Sequence, residues 1–203
     1  MGRGEHYFTE RPTSGRREER FEAVLRGVRL VLLSDAGVFS RRKVDKGTKL
    51  LVEHATLPSD GPLLDLGCGY GAIGLALARL LPSAQVYMVD VNERAVELAR
   101  RAAALNGIEN VCIVQSDGFA ALPPELRFKA IFTNPPYRAG NAVVFRMIEE
   151  SAKRLEIGGT FACVGRTRQG AKTVRRRIEE CFRNVSEPAI GGGYRVMEAR
   201  RLA

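Results

Sequence analysis

Residues 63–78, LLDLGCGYGAIGLALA, decide the fold of this chain. A short apolar run ends in three glycines spaced as Gly69-x-Gly71-x-x-Gly74, and a second apolar run of helical character follows. Glycines at such a turn let the backbone pass close to a ligand, and the start of the helix presents free N–H groups. Nicotinamide-dinucleotide enzymes share this spacing, and a tight turn without a ligand is the simplest alternative. The segment therefore predicts a strand–turn–helix unit but by itself assigns no ligand.

Short apolar runs and amphipathic runs alternate outward from this segment, beginning at Pro62. The alternation predicts parallel strands that are covered by helices on both faces of a sheet. Near the end of the chain, NVSEPAI and YRVMEARR flank a glycine-rich turn. They lie too close together for a parallel connection, so they predict an antiparallel hairpin at one sheet edge. We therefore predict an α/β fold with a doubly wound, mostly parallel sheet of seven strands and a C-terminal antiparallel hairpin.

The first sixty residues follow a different pattern. Residues 1–20 are polar and lack an apolar period, so we interpret them as a basic N-terminal arm. Residues 21–61 contain two β-rich pieces around Arg26 and Gly27, which predict a hairpin, and a short helix that ends near His54. They predict a small β/α cap, or lid region, packed on a main domain of residues 62–203.

The composition predicts one domain in a reducing compartment. At 203 residues, of which 45% are hydrophobic, the chain is long enough to bury one sizeable core. Its four cysteines include no C-x-x-C pair and it has two histidines, so we expect neither a metal site nor a disulfide framework. No apolar run reaches the roughly 18 residues of a membrane-spanning helix, and the N-terminus lacks an apolar signal core. We expect a cytoplasmic protein that does not bind membranes.

The net charge of +9 is concentrated at the two ends of the sequence. Residues 1–60 hold 12 basic and nine acidic residues, residues 61–150 hold eight and nine, and residues 151–203 hold 12 and five. Basic flanks around a neutral centre favour a polyanionic partner, because phosphate contacts and counterion release dominate affinity for nucleic acids. A solvated, arginine-rich surface is the alternative, and the run Arg175-Arg176-Arg177 does not decide between the two.

Carboxylates follow three successive predicted strands, at Asp65, Asp90 and Asp117. The carboxyl ends of strands in an open α/β sheet line the ligand crevice, so we expect these groups to lie together. Asp65 suits a ligand with an ammonium and a sulfonium group better than a pyrophosphate. Asp90 can accept from two unphosphorylated ribose hydroxyls, and Asp117 can accept from the amino group of adenine. Two of them have ordinary alternatives. Asp90 can cap the next helix, although Asn92 is the better candidate, and an Asp before a glycine, as in Asp117-Gly118, is common in turns.

The stretch TNPPYR, residues 133–138, follows the fourth predicted strand, which we expect beside the first strand and above the crevice. Two prolines stiffen the chain and remove two backbone donors. An amino group conjugated to a ring or a carbonyl is a poor nucleophile, and acceptors for its two N–H protons favour the pyramidal form that can attack. The side-chain carbonyl of Asn134 and the main-chain carbonyl of Pro135 offer such acceptors, and Tyr137 offers a face for stacking. The alternative is an N-P-P turn with an incidental tyrosine.

With DLGCGYG, VDVNERAVELA, SD and NPPY in this order, the chain resembles class I S-adenosylmethionine-dependent methyltransferases that modify planar amino groups. The resemblance covers residues 62–203. Upstream, SDAGVFSRRKVDKGTKLLVE is similar to the segment before the glycine motif in the small-subunit ribosomal RNA guanine-N2 methyltransferases and their stand-alone relatives, which extends the resemblance to about Glu5. The resemblance implies a Rossmann-like methyltransferase fold that binds S-adenosyl-L-methionine as cofactor and no metal. The activity that it implies is methylation of guanine N2 in RNA. The implied partner is ribosomal RNA or a ribosomal subunit, bound by a monomer or homodimer.

The resemblance also implies roles for individual residues. The residues expected to bind the cofactor are Asp65, Gly67, Cys68, Gly69, Gly71, Asp90, Val91, Asp117, Gly118 and Asn134. The residues expected to hold the target amino group, and so to be catalytic, are Asn134, Pro135, Pro136 and Tyr137. The residues expected to form a lid or to contact the substrate are Phe39, Thr48 and Arg138.

Two departures from the family's pattern keep other substrates open. The large RNA enzymes of this kind carry an additional N-terminal domain of similar fold, and their last motif residue is commonly Phe where this chain has Tyr137. Tyrosine also occurs in relatives that methylate glutamine or adenine, so N5-glutamine methylation of a protein and N6-adenine methylation of a nucleic acid are alternatives. A non-catalytic RNA-binding module and a nicotinamide oxidoreductase are more remote, because neither gives N-P-P-Y a role.

Overall fold

The computed structural model describes Gly15 and residues 17–35, 43–168 and 170–203. Most of the predicted arm, and the predicted lid residue Phe39, lie outside these residues. The strands are β1 (Glu19–Leu25), β2 (Val28–Ser34), β3 (Leu63–Leu66), β4 (Val86–Asp90), β5 (Val111–Gln115), β6 (Phe128–Thr133), β7 (Leu155–Arg166), β8 (Ser186–Gly191) and β9 (Tyr194–Arg200). The helices are α1 (Lys46–His54), α2 (Ala72–Leu80), α3 (Glu93–Leu105), α4 (Asn141–Arg154) and α5 (Ala171–Phe182), with a 3₁₀ turn at Tyr137–Ala139. Within the described ranges, no helix is long and apolar enough to cross a membrane.

Seven strands form one sheet in the order β5-β4-β3-β6-β7-β9-β8. The strands from β5 to β7 in this order pair in parallel, whereas β9 pairs antiparallel with both β7 and β8. The order reverses between β3 and β6, because the chain runs outward from β3 to β5 and then crosses back to the other side of β3. Ligands of open α/β sheets bind at such a reversal. The predicted doubly wound sheet, its C-terminal hairpin and the pairing of β6 with β3 are confirmed.

Helix α2 is buried on all sides. Residues 72–78 are all buried, whereas a helix on an open sheet face hides only one stripe. One side of α2 packs on the sheet, and the other packs on Leu30 and Leu32 of β2, which belong to the same hydrophobic cluster. The β1–β2 hairpin therefore completes the core on this face of the sheet.

The predicted N-terminal hairpin is present and has a two-residue turn. Arg26 and Gly27 both have positive φ, 47° and 82°, as a type I′ turn requires. The backbone N–H of Arg26 donates to the carboxylate of Glu53 at 2.8 Å, and its guanidinium donates to the carbonyl of Ala55 at 2.7 Å. The turn thereby satisfies polar groups at the C-terminal end of α1.

Side chains tie this N-terminal region to the rest of the molecule. Asn106, after α3, accepts from the N–H of Val31 at 2.9 Å and donates to its carbonyl at 2.7 Å, so it takes the place of a strand partner for β2. The N–H and hydroxyl of Thr56 donate to the carboxylate of Glu198 on β9 at 2.6 and 2.9 Å. The boundaries of the predicted arm, cap and main domain stay a prediction, while the described hairpin and α1 share one hydrophobic cluster with the sheet.

Candidate active site

A cavity of about 1030 Å³ opens at the carboxyl ends of β3, β4, β5 and β6. Its volume is near the upper end of the range for small-molecule sites. The predicted site residues that line it are Thr48, Gly67, Cys68, Gly69, Asp90, Val91, Asp117, Gly118, Asn134, Pro135, Pro136, Tyr137 and Arg138. Asp65 and Gly71 are not part of the lining and lie behind the glycine turn. The structure thus brings the four predicted segments together, and the ligand roles of their residues stay predictions.

The turn between β3 and α2 brings bare backbone to the cavity wall. Gly67 and Gly69 line the cavity and have φ of 77° and 55°, a region that other residues rarely adopt. Gly71 and Gly74 serve the packing of α2 instead. A Cβ on Gly74 would lie 2.6 Å from Cγ of the buried Met88, and a Cβ on Gly71 would lie 2.9 Å from its Cε. Gly67 and Gly69 therefore give a ligand access to the backbone, whereas Gly71 and Gly74 allow close contact of α2 with β4.

Asp90, at the end of β4, forms hydrogen bonds that fix the position of this turn. Its Oδ2 accepts from the N–H of Gly69 at 2.7 Å, and its Oδ1 accepts from the N–H of Asn92 at 2.9 Å. A carboxylate has about four lone-pair positions, so about two remain for a ligand. Burial raises the pKa of Asp90. Asn92 is confirmed as the cap of α3, because its Oδ1 accepts from the N–H groups of Arg94 and Ala95.

Asp65 lies beneath the turn and is completely buried. Its Oδ2 accepts from the N–H of Gly74 at 2.8 Å, while Oδ1 has no hydrogen-bond partner among the residues that the structure describes. Burial raises the pKa of Asp65 to about 7, the hydrogen bond from Gly74 opposes this shift, and the charge of Asp90 adds to it. The charged form of Asp65 is therefore destabilised unless a cation comes near.

Asp117 follows β5 and is exposed at the rim of the cavity. Its carboxylate forms an ion pair with the guanidinium of Arg146 on α4. The hydroxyl of Ser116 donates to the carbonyl of Gly118 at 2.9 Å and accepts from the N–H of Ala121 at 3.0 Å, which orders this loop. A ligand that bonds to Asp117 has to share its carboxylate with Arg146, a partner that no sequence signal indicated.

The side chain of Asn134 is oriented by residues of the α1 segment. Its Nδ2 donates to Oδ2 of Asp45 at 3.1 Å and to Oγ1 of Thr48 at 2.9 Å. An ionised carboxylate can only accept, so the amide cannot turn its oxygen toward Asp45. Both Nδ2 protons are engaged, and within the described ranges no group donates to Oδ1 of this cavity residue.

Asp45 is a site residue that the sequence analysis did not find. It caps α1, since its Oδ1 accepts from the N–H groups of Gly47 and Thr48 at 2.9 and 3.3 Å. The cap itself was visible in DKGT, as an Asp immediately before an amphipathic run. Its contact with a residue 89 positions away is a tertiary feature. Thr48, predicted to belong to a lid, is buried in the first turn of α1.

The two prolines and Tyr137 form a tight turn on the cavity wall. The carbonyl of Pro135 accepts from the N–H of Tyr137 at 2.9 Å, which leaves it one lone pair. The hydroxyl of Tyr137 donates to the carbonyl of Val164 on β7 at 2.8 Å. Burial raises the pKa of this hydroxyl well above its ordinary value, so it stays protonated. The ring is thus anchored through its hydroxyl while it lines the cavity.

Two further cavity residues, Arg166 and Tyr194, lie opposite each other on β7 and β9. Nε of Arg166 donates to the Tyr194 hydroxyl at 3.0 Å, and the guanidinium lies 5.4 Å from the ring centroid. Gly47 leaves room for the same ring, because a Cβ there would lie 2.7 Å from it. No sequence motif marks these two residues, since only the insertion of β9 beside β7 brings them to the site.

Cys68 also lines the cavity, but it is a poor nucleophile at neutral pH. Burial raises the pKa of its thiol well above the ordinary value, and the charges of Asp65 and Asp90 add to the shift. In the described part of the chain, no group of three or more His, Cys, Asp and Glu side chains is arranged to hold a metal ion.

The raised pKa of Asp65 predicts a pH-dependent stability. Between the unfolded pKa of about 4 and the folded pKa of about 7, the folded protein keeps a proton that the unfolded chain has lost. Stability should therefore fall as pH rises through this window, by up to about 4 kcal/mol at 1.36 kcal/mol per pKa unit. We expect Asp65→Asn to remove most of this fall, as measured by urea unfolding between pH 4.5 and 8. A parallel decline in both proteins would assign the effect to other groups.

Comparison with known proteins identifies the family. The model of the methyltransferase small domain matches residues 29–198. A relative from Bacillus subtilis (strain 168), "Uncharacterized protein YbxB", is 41% identical over 98% of this chain and 99% of its own length. The "Ribosomal RNA small subunit methyltransferase C" of Pseudomonas entomophila (strain L48) is 34% identical over 90% of this chain and 54% of its own length.

A solved structure is similar over nearly the whole chain. The T. thermophilus 16S rRNA guanine-N2 methyltransferase (RsmC), in complex with AdoMet and guanosine, superimposes with a TM-score of 0.81 and 29% identity. The match covers 94% of this chain and 52% of that one, so the chain spans about half the length of these ribosomal RNA methyltransferases. The predicted fold, enzyme class and cofactor are confirmed: the chain belongs to the methyltransferase small domain family, within the class I S-adenosylmethionine-dependent methyltransferases.

Proposed function

We propose that this protein transfers a methyl group from S-adenosylmethionine to the exocyclic N2 amino group of a guanine in ribosomal RNA. The observation that carries the proposal is the orientation of Asn134, a residue of the cavity lining, whose Nδ2 donates to Asp45 and Thr48 while its Oδ1 accepts from no described residue. Relatives that are named ribosomal RNA methyltransferases support RNA as the substrate, and the similar structure in complex with guanosine supports guanine as the base.

The cavity residues suit a cationic cofactor. When bound, S-adenosylmethionine supplies an electrophilic methyl group on a sulfonium. Asp90 has lone pairs left to accept from ribose hydroxyls, and Asp65 places a second carboxylate close by, beneath the turn. Two carboxylates at this end of the cavity favour a ligand with ammonium and sulfonium groups and disfavour a pyrophosphate. This charge pattern is also the physical argument against a nicotinamide dinucleotide.

The target amino group is unreactive while its lone pair is delocalised into the base. In this proposal, Oδ1 of Asn134 and the remaining lone pair of the Pro135 carbonyl accept from its two N–H groups. They favour the pyramidal nitrogen, whose lone pair would form the bond to the methyl carbon while the carbon–sulfur bond of the sulfonium broke and left its electron pair on sulfur. The contacts to Asp45 and Thr48 hold the first acceptor and the proline ring holds the second, so neither has to reorient. The methylated nitrogen would be cationic and acidic, so it would pass its extra proton to water at the cavity mouth and the site needs no strong base.

The aromatic lining favours a base over a glutamine side chain. The Tyr137 hydroxyl is engaged by the carbonyl of Val164, so Tyr137 offers the cavity a ring much as a phenylalanine would. Its presence therefore does not favour the glutamine or adenine alternatives. Tyr194 adds a second aromatic side chain to the lining, and stacking of a base on such a ring contributes about 1–3 kcal/mol.

Product analysis tests the proposal. An unmodified small-subunit rRNA transcript, small ribosomal subunits from a strain deleted for this gene, and total ribosomal protein are each incubated with the enzyme and methyl-labelled cofactor. We expect the label in RNA, recovered as N2-methylguanosine after nuclease digestion. Label in N6-methyladenosine or N5-methylglutamine would replace the proposal with that alternative. Cofactor binding without transfer to any of these would favour a non-catalytic RNA-binding module.

We expect Asn134→Ala to lower kcat by roughly 10²-fold or more, because one preorganised polar group is lost from the reacting nitrogen. Cofactor affinity should change little, since the glycine turn and Asp90 are untouched. Single-turnover methylation and calorimetric titration with S-adenosylmethionine measure the two quantities separately. An equal loss of both would mean that Asn134 supports the pocket and not the reaction.

Asp45→Asn tests the orientation of Asn134 without removing the helix cap. Asn caps helices about as well as Asp, so α1 should stay folded. Its amide can, however, donate to Oδ1 of Asn134 and let that side chain turn over, which presents Nδ2 to the substrate. We expect kcat to fall by about tenfold, equivalent to about 1.4 kcal/mol. Thr48→Val removes one acceptor without adding a donor and should cost less, whereas equal losses in the two variants would contradict this role for Asp45.

A further inference from the structure

A second cavity, of about 530 Å³, adjoins the active site between the loop after β7 and the β8–β9 turn. We call it the hairpin groove. Its lining consists of Arg166, Thr167, Arg168, Ile190 and the glycines at 191–193. The N–H of Thr167 donates to the carbonyl of Gly193 at 2.9 Å, which joins the two walls of the groove.

The hairpin groove is continuous with the active site through Arg166, which lines both cavities. Its guanidinium is held over the ring of Tyr194, itself part of the active-site lining. An extended ligand that leaves the active site on this side therefore passes the Arg166 guanidinium before it enters the groove.

The charge of the hairpin groove is uniformly positive. Among the residues that the structure describes, its lining contains two arginines and no carboxylate. Arg168 is exposed and makes no hydrogen bond or ion pair with any residue in the described ranges. A third cation lies near, because a Cβ on Gly192 would lie 3.7 Å from Cδ of Lys46. The groove thus attracts an anion and offers it a cation that is not already paired within the described structure.

The shape of the hairpin groove suits a ribose–phosphate chain. Gly192 and Gly193 have φ of 57° and 84°, and without side chains they leave the backbone of the turn open to a ligand. Ile190 at the rim is 61% exposed and offers an apolar surface. Phosphates are bound by arginine and by backbone N–H groups, so these features favour a phosphodiester over a peptide.

We propose that the hairpin groove binds the ribose–phosphate of the nucleotide next to the target, an inference that rests on the proposed function. A base that reacts inside the active-site cavity has to leave its stack, so its flanking phosphates stay at the cavity mouth. Arg166 lies at the junction of the two cavities, and Arg168 is the outer phosphate contact. An acidic peptide would be attracted by the same charges, so the experiment has to separate the two.

Arg168→Gln tests the phosphate contact, because this residue is no part of the active-site lining. Affinity for a fluorescent single-stranded RNA is measured by anisotropy over a range of salt concentrations. We expect Kd to rise roughly tenfold or more, as for the loss of one hydrogen bond to a charged group. The slope of log Kd against log salt should fall by about 0.7, the value for one phosphate contact to a single strand. Arg176→Gln is the matched control, since Arg176 is exposed but paired with Glu180 on α5, and it should change neither quantity.

Ile190→Glu places a carboxylate at the rim without altering an arginine, and it should also weaken RNA binding. Cofactor affinity should be unchanged in all three variants, which shows that they are folded. If guanosine is labelled while Arg168→Gln and Arg176→Gln behave alike, the groove proposal is overturned and the proposed function stands. If the label enters protein, and Arg168→Gln weakens capture of that protein but not of RNA, the occupant is a peptide and both proposals fail.

Discussion

Two carboxylates, the buried Asp65 and the half-buried Asp90, hold the glycine turn in place, and the shape of the cavity depends on that turn. Asp65 accepts from the N–H of Gly74 at 2.8 Å, and Asp90 accepts from the N–H of Gly69 at 2.7 Å. Burial raises the pKa of both acids, so their charged forms are destabilised as long as no cation is near. A cationic ligand would lower both pKa values. The same pair of groups therefore sets the path of the backbone and favours a positively charged cofactor.

The N-terminal region supports the site through the cap and first turn of α1. Asp45 accepts from the first N–H groups of α1 and from Nδ2 of Asn134, so the orientation of the amide depends on the position of this helix. The helix is held at its other end by Arg26, in the turn of the β1–β2 hairpin, and it packs on the sheet through Leu51 and Val52. A hairpin remote from the cavity thereby contributes to the precision of an acceptor inside it. This coupling gives a physical reason for the similarity to ribosomal RNA methyltransferases to extend upstream of the glycine motif.

The elements of the fold were predictable from the sequence because periodicity and turn residues are local signals. The placement of Asn134 over the crevice was also predictable, since β6 has to return to β3 in a doubly wound sheet. The partners of the site residues were not predictable in the same way. The contact between Asp45 and Asn134 and the ion pair between Arg146 and Asp117 depend on packing between distant segments. The hairpin at the sheet edge was predicted from the sequence. The sequence did not indicate which of its two strands pairs with β7. The pairing of β9 with β7 is what brings Tyr194 to the cavity.

The density of charge in the sequence is a poor guide to the charge that a partner meets. Arg175, Arg176 and Arg177 are consecutive, yet they lie 3.2, 3.6 and 2.6 Å from the carboxylates of Glu179, Glu180 and Glu149. Exposed ion pairs of this kind contribute little stability, but each cancels most of the field of its cation at a distance. Arg138 and Arg168 belong to no run of consecutive arginines, and neither has an ion-pair partner in the described part of the chain. The loops after β6 and β7 place them at the mouth of the active site and in the adjoining groove. Uncompensated positive charge therefore lies where the proposed chemistry takes place, so attraction of a polyanion and positioning of its base are served by the same surface.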